Sequence, residues 1–164
     1  VFKMPCALPT RKCRTIYWMG VRQAVWRARL WEERDVHLVS AGVKDYADRL
    51  LTSHFCLHTE GNGWGTRLID YSIAECVPLI INDDMQLIFE DLIPYPAISV
   101  RARKADIPTI VARLRKLNDT ALREQLRVWR RAFSWWRPIG WAYEFTVANL
   151  VTVALSRGLL KGHS

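Results

Sequence analysis

Two short runs in the middle of the chain, residues 55–58 (Phe-Cys-Leu-His) and 77–81 (Val-Pro-Leu-Ile-Ile), are almost wholly apolar. Runs of this length without polar alternation fit strands covered on both faces, as in a parallel sheet. Between them come Gly61, Gly63 and Gly65, then a stretch of helical character carrying Arg67 and Asp70. Upstream, residues 14–19 (RTIYWM) are rich in β-formers and stop at Gly20, which predicts a first strand. Apolar residues at Val21, Ala24, Val25, Ala28 and Trp31 have the spacing of one helical face. A short strand over 36–39 and a helix over 44–51 follow. Downstream the pattern predicts a fifth strand over 97–100 and a helix over 107–117 with Pro108 in its first turn. A long helix runs from Thr120, capped by Asp119, to about Trp136; Pro138 and Gly140 end it, and a last helix covers 141–156 up to Gly158.

Four of the five predicted strands lead into a helix, and only the fourth opens a longer loop. That alternation predicts an α/β fold: a Rossmann-like parallel sheet flanked by helices and joined by right-handed crossovers. The expected organisation is a connector over 1–13, a Rossmann-like domain over 14–157 whose C-terminal helices start near 107, and a tail over 158–164. Val1 opens the chain, as expected of a processed protein or a part of a longer one.

Composition changes this picture little. Half of the 164 residues are hydrophobic and eight are tryptophan, which argues for a folded unit rather than a disordered tail. The formal charge of +8 suits an anionic partner. The arginines between 101 and 137 interleave with apolar residues at helical spacing, as a solvated amphipathic face would, and no nucleic-acid motif accompanies them. Trp129, Trp135 and Trp136 fit either packing on the sheet or an interface. The four cysteines form no CxxC pair and meet no histidines at zinc-ligand spacing, so no metal site is predicted. Cys56 and Cys76 are expected to pack as small buried hydrophobes. Cys6 and Cys13 can close a short loop in an oxidising compartment.

The chemistry concentrates around the two apolar runs. In an open α/β sheet the loop after a strand lies outside the carboxyl end of the sheet, where anions and nucleotides bind. Gly61, Gly63 and Gly65 allow close backbone approach to a ligand or simply make a turn; they form neither a GxGxxG fingerprint nor a P-loop. Arg67 and Asp70, three apart, share a helix face: the arginine can clamp a diphosphate and the carboxylate can accept from ribose hydroxyls, or the two can form an ion pair. Asn82, Asp83 and Asp84 follow the next strand on the same rim, where they can meet sugar hydroxyls, hold a metal with water and phosphate, or cap the next segment. His54 and His58 are candidates for a general base by residue type alone.

Together these residues resemble the exostosin family of glycosyltransferases. The family pattern S-K-F-C-L-x-P-x-G, R-x-x-E-A and G-C-[IV]-P-V-I, with an S-D-D-like turn, stands here as residues 53–61, 67–71, 75–80 and 82–84. Leu87-Ile88-Phe89 looks like its L-P-F, and Ala142-Tyr143 with Leu150 and Arg157 like its closing helix. The chain departs from the pattern at Thr59, Asp70, Tyr71, Glu75 and Ile88. The resemblance implies the C-terminal domain of a GT-B fold and the donor-binding half of an inverting, UDP-sugar-dependent glycosyltransferase acting on polysaccharide or glycan acceptors. It implies Arg67 on the diphosphate, Asp70 on the ribose, the loop from Gly61 to Gly65 on the donor phosphates, and Asp83 and Asp84 near the donor sugar. A UDP-sugar donor without a tightly bound cofactor, a glycan acceptor, an N-terminal GT-B domain or partner subunit, and the lumenal side of the Golgi membrane belong to the same expectation. The altered motif positions also fit a non-catalytic exostosin-like module serving a larger assembly.

Overall fold

The computed structural model of the protein describes residues 20–38, 43–59, 66–83, 86–135 and 140–159. At its centre β1 (Phe55–Thr59), β2 (Val77–Ile81) and β3 (Val100–Ala102) form a parallel sheet in that order. Thr59 lies level with Ile81, and Ile81 with Ala102, so all three strands end at one rim. Every residue of β2 is buried, as its unbroken apolar run requires of a central strand. A proline inside a central strand normally breaks the ladder. Here the amide of Val77 donates to His54 O at 3.0 Å, so position 78 faces away from β1, and β3 pairs only from Leu79 onward. The missing N–H of Pro78 falls where no strand asks for one.

The two-residue period of the strands divides the core. Val77, Leu79 and Ile81, with Val100 and Ala102, pack under α1 (Val21–Arg27), Leu30 and the segment carrying Ile107 and Ile110. Ile80 faces the other way, toward Leu68 of α3 (Arg67–Ile73), Tyr95 and Ile98 of α4 (Tyr95–Ile98), Leu126 of α6 (Thr120–Trp129), and Phe133. At the start of β1 a third cluster joins Leu50 of α2 (Tyr46–Thr52) to Cys56, Tyr71 and Cys76. Helices thus cover both faces of a parallel sheet, the α/β class that the sequence pattern predicts.

Several elements differ from expectation, each for a local reason. Cys56 and Cys76 are joined by a disulfide and are not separate hydrophobes. The strand register sets Phe55 opposite Val77 and so brings the two neighbouring cysteines together. The strand expected over 97–100 begins only at Val100, because Tyr95–Ile98 forms a helical turn closed by the Ser99 hydroxyl on Tyr95 O at 2.6 Å. Val36 and Leu38 pack against the first core without joining the sheet. The helix expected over 107–117 is a 3₁₀ turn, Lys104–Thr109, followed by α5 (Ile110–Arg115). The helix from Thr120 tightens into a 3₁₀ turn at Arg130–Phe133, which delivers Ala132 and Phe133 into the second core. At its start the Asn118 side chain takes the Thr120 N–H at 3.1 Å, while the Asp119 carboxylate holds His54. The strand expected over 14–19 and the loop formed by cysteines 6 and 13 lie outside the described residues.

Much of the arginine excess is absorbed by carboxylates. Arg115 bonds Glu33 and Asp35, Arg101 bonds Glu90, and Arg127 and Arg130 both reach Glu75. This is the amphipathic, solvated face that the spacing suggests. Trp129 packs edge-on to Phe145, and Trp135 is exposed. The last helix, α7 (Ala142–Ser156), buries only Ala142 and rests Phe145 against Phe89. Among the described residues no helix is long and apolar enough to cross a membrane.

Candidate functional site

The rim where the three strands end gathers groups from four directions. His58 and Thr59 close β1 and, one residue apart, point to opposite faces of the sheet. On one face Arg22 of α1 donates from Nε to the Thr59 hydroxyl at 3.2 Å. On the other, Arg67 opens α3, one turn before Tyr71. Tyr71 is buried and donates to Leu57 O at 3.1 Å, so it ties the guanidinium side of α3 to the backbone of β1. The family pattern has alanine at this position. The larger side chain here packs beside the Cys56–Cys76 disulfide.

His58 points to the α3 face, toward Tyr71. Its side chain is nearly buried, and its ring stands edge-on to Tyr71 with centroids 6.5 Å apart. Burial, then the charge of Arg67 and that of Arg22, lower its pKa to about 4. The imidazole is therefore neutral at physiological pH. Burial likewise raises the Tyr71 phenol, which stays a hydrogen-bonding group and not a base.

Asp70 is exposed, with one carboxylate oxygen 3.4 Å from the Tyr46 phenol of α2. Burial first, then the charge of Asp70, raise the pKa of that phenol, which keeps it a donor to the carboxylate. Asp83 lies beyond β2 and accepts the backbone N–H of Lys104 at 3.2 Å, capping the 3₁₀ turn that follows β3. Of the readings that the sequence leaves open for this residue, capping is thus realised for one of its oxygens. Lys104 also marks the closest approach of the chain's first described residue. A Cβ on Gly20 would stand 2.9 Å from its Nζ, and the positive φ of 76° there suits glycine. Gly61, Gly63, Gly65 and Asp84 lie outside the described residues.

Arg67 and Asp70 on α3 and Asp83 after β2 lie toward the end of the sheet where the strands stop, together with Arg22, Lys104 and Tyr71. Arg22 was hidden because its helical spacing reads only as the polar side of an amphipathic helix. His54 belongs elsewhere. It precedes β1 at the far end of the sheet and bonds Asp119 at 2.8 Å, so it is no base for this rim. Glu75 is partly enclosed, with a left-handed φ of 57° and its carboxylate held by Arg127 and Arg130. That backbone explains why glycine suits the position in the family pattern.

A separate cleft of about 840 Å³ runs along the first core, floored by Phe55, Leu57, Leu79 and Ile81, with His54 and Asp119 at its edge. It contains none of the rim cations. Among the described residues no cluster of histidine, cysteine or acidic side chains is arranged to hold a metal ion.

Chemically, the rim offers permanently charged guanidiniums from both sheet faces, suited to phosphate oxygens, beside a carboxylate and phenols that suit hydroxyl groups. A sequence model of the Exostosin GT47 domain matches residues 16–117, which include the whole sheet and every described rim residue. The chain is 32% identical over 107 residues to "Probable glucuronosyltransferase 47 A" of Physcomitrium patens, covering 62% of this chain and 24% of that protein. It is 33% identical over 105 residues to a probable glucuronosyltransferase of Oryza sativa subsp. japonica, covering 60% and 24%. To "Probable beta-1,4-xylosyltransferase IRX10" of Arabidopsis thaliana it is 30% identical over 112 residues, covering 66% and 26%. The chain thus spans about a quarter of the length of the curated relatives it matches.

Proposed function

The chain belongs to the exostosin GT47 family, and from that premise we propose that it is the donor-binding half of a UDP-sugar-dependent glycosyltransferase acting with inversion on polysaccharide or glycan acceptors. The observation that carries this reading is the meeting of Arg22 and Arg67 at the end of β1 from opposite faces of the sheet. A diphosphate has oxygens on all sides, and cations converging from two elements match it better than one surface arginine would. In this reading Arg67 takes the diphosphate with help from Arg22, Asp70 takes the ribose, the loop from Gly61 to Gly65 lies over the donor phosphates, and Asp83 and Asp84 lie near the sugar. The donor-binding unit is residues 14–157.

Stabilising the departing UDP is the catalytic task of such a rim, because negative charge grows on the leaving diphosphate as the glycosidic bond breaks. The base that deprotonates the acceptor belongs to the acceptor side, supplied by an N-terminal GT-B domain or a partner subunit. The names of the relatives, glucuronosyltransferases and a xylosyltransferase, support a nucleotide-sugar donor and a glycan acceptor. A buried disulfide supports a life in an oxidising compartment, and with the family it supports the lumenal side of the Golgi membrane.

A second reading, a non-catalytic exostosin-like module within a larger assembly, is favoured by α7. That helix leaves Tyr143, Val147, Leu150, Val151 and Leu155 exposed. One titration separates the two readings. Saturable binding of UDP-xylose by the chain, preferring uridine over adenine nucleotides and lost in Arg67→Ala, is expected of a donor site. A folded chain that binds no uridine nucleotide overturns it.

A further inference from the structure

The rim carries a further cation to which the donor reading gives no task. Lys104 stands two residues after β3 and is exposed. Its backbone N–H is held by the Asp83 carboxylate at 3.2 Å, so the lysine is anchored to the acid that follows β2. From there its side chain reaches back toward α1. A Cβ built on Gly20 would stand 2.9 Å from Nζ and 3.7 Å from Cε, so the bare glycine leaves room for the ammonium against its backbone. Two residues on, Arg22 crosses to the Thr59 hydroxyl at the end of β1. Thr59, Ile81 and Ala102 are level across the three strands, and strands lie about 5 Å apart, so the strand ends span roughly 10 Å. That is within the reach of a sugar joined to a diphosphate. Resting on the donor reading above, we propose that Lys104 determines donor specificity: its ammonium takes the carboxylate of a uronic acid, and the substrate class of the site is a nucleoside diphosphate uronic acid, not a neutral sugar nucleotide.

Charge and position decide between these classes. In the donor reading Arg67 and Arg22 meet the diphosphate, whose diester form carries two negative charges, while Asp83 lies near the sugar. A cation anchored to Asp83 therefore faces the sugar and not the phosphates. A neutral sugar needs no cation there, because its hydroxyls donate to carboxylates. A uronic acid adds one carboxylate, and the ligand's three negative charges then match Arg22, Arg67 and Lys104. An ammonium on a flexible stem is a compact charge with three donors, suited to a carboxylate whose orientation is not fixed in advance. Asp83 opposes such a carboxylate with its own charge. Without the lysine the same position rejects a uronic acid, so the preference depends on Lys104 for its sign as well as its size. Binding alone is involved, and no bond in the ligand changes.

UDP-glucuronate and UDP-xylose are the probes, because their sugars differ only in the carboxylate that replaces a hydrogen on C5. UDP-glucose, with a neutral hydroxymethyl group there, separates charge from bulk. Calorimetric titration of the whole chain with each, and with UDP, reads the affinities. Wild type should bind UDP-glucuronate about fivefold more tightly than either neutral sugar nucleotide, as a part-exposed ion pair allows, and added salt should shrink the difference. Lys104→Met should abolish or reverse the preference while leaving UDP affinity within about twofold, and Lys104→Arg should restore it. Equal wild-type affinities for UDP-glucuronate and UDP-xylose, a preference that survives Lys104→Met, or an equal loss for UDP itself in that variant overturns the inference while leaving the donor reading intact. Absence of binding by any of these uridine nucleotides, in a chain whose circular dichroism shows it folded, overturns both.

Discussion

The disulfide between Cys56 and Cys76 joins the start of β1 to the residue before β2, closing a loop that contains α3. Its sequence separation is 20. Loop-closure entropy for a ring of that length corresponds to about 3 kcal/mol of destabilisation when the bond is removed. Native domains hold only about 5–15 kcal/mol, so this is a large share. For a chain of this size about 3 kcal/mol corresponds to about 6–12 °C in the unfolding midpoint. The test is a Cys56→Ala, Cys76→Ala double variant followed by circular dichroism or calorimetry, beside oxidised wild type and wild type unfolded and refolded under reductant. The reduced protein should resemble the double variant, both well below the oxidised chain. The same bond packs beside Tyr71, which holds Leu57 O one residue before His58 at the rim, so donor affinity should fall with it. Coincident melting of oxidised wild type and the double variant, or two free thiols at these positions in the unreduced denatured protein, would refute the reasoning.

Three other perturbations probe separate parts of the structure. Tyr71→Phe removes the phenol that donates to Leu57 O; it should cost about 1 kcal/mol in chemical denaturation by removing that part-buried hydrogen bond, whereas unchanged stability would show that the phenol is not a structural tie. Folding should also be acid-sensitive through His58. Its pKa of about 4 lies below the ordinary value of 6.5, so the neutral form stabilises the fold above that ordinary value and the contribution, at most about 3 kcal/mol, is lost as pH falls from 6.5 toward 4. Melting midpoints of wild type and His58→Gln across that window read it. Asp35, whose carboxyl the Arg115 side chain holds down at about 2, keeps its charge through the same window, so its contribution is fully present above the ordinary carboxylate pKa of 3.8 and is lost as pH falls from 3.8 toward 2; Asp35→Asn should lower the melting midpoint above 3.8, and the gap from wild type should close below it. Finally, His54→Ala breaks the bond to Asp119 at the far end of the sheet and should leave UDP-xylose affinity within about twofold. A larger loss would place His54 in the site.

The amino-acid sequence by itself determined the class of the fold and the end of the sheet near which its candidate residues lie. An unbroken apolar run such as Val77–Ile81 has no polar side to show to water, so it must be a central strand. The loop and helix between two such runs must lie near the end of the sheet, which places Arg67 and Asp70 at the rim. Local hydrogen bonding decided what periodicity could not: the helical turn Tyr95–Ile98 ahead of Val100, and the tightening after Trp129. What tertiary structure alone decided was pairing across distance. Cys56 meets Cys76 because the strand register aligns them, and no spacing rule states that register. Arg22 reaches Thr59 because α1 packs over the first core with its amino end at the rim. His58 reads in the sequence as one polar residue at the end of an apolar run. Its burial and its edge-on contact with Tyr71 come from elements separated along the chain, and that packing sets its chemistry.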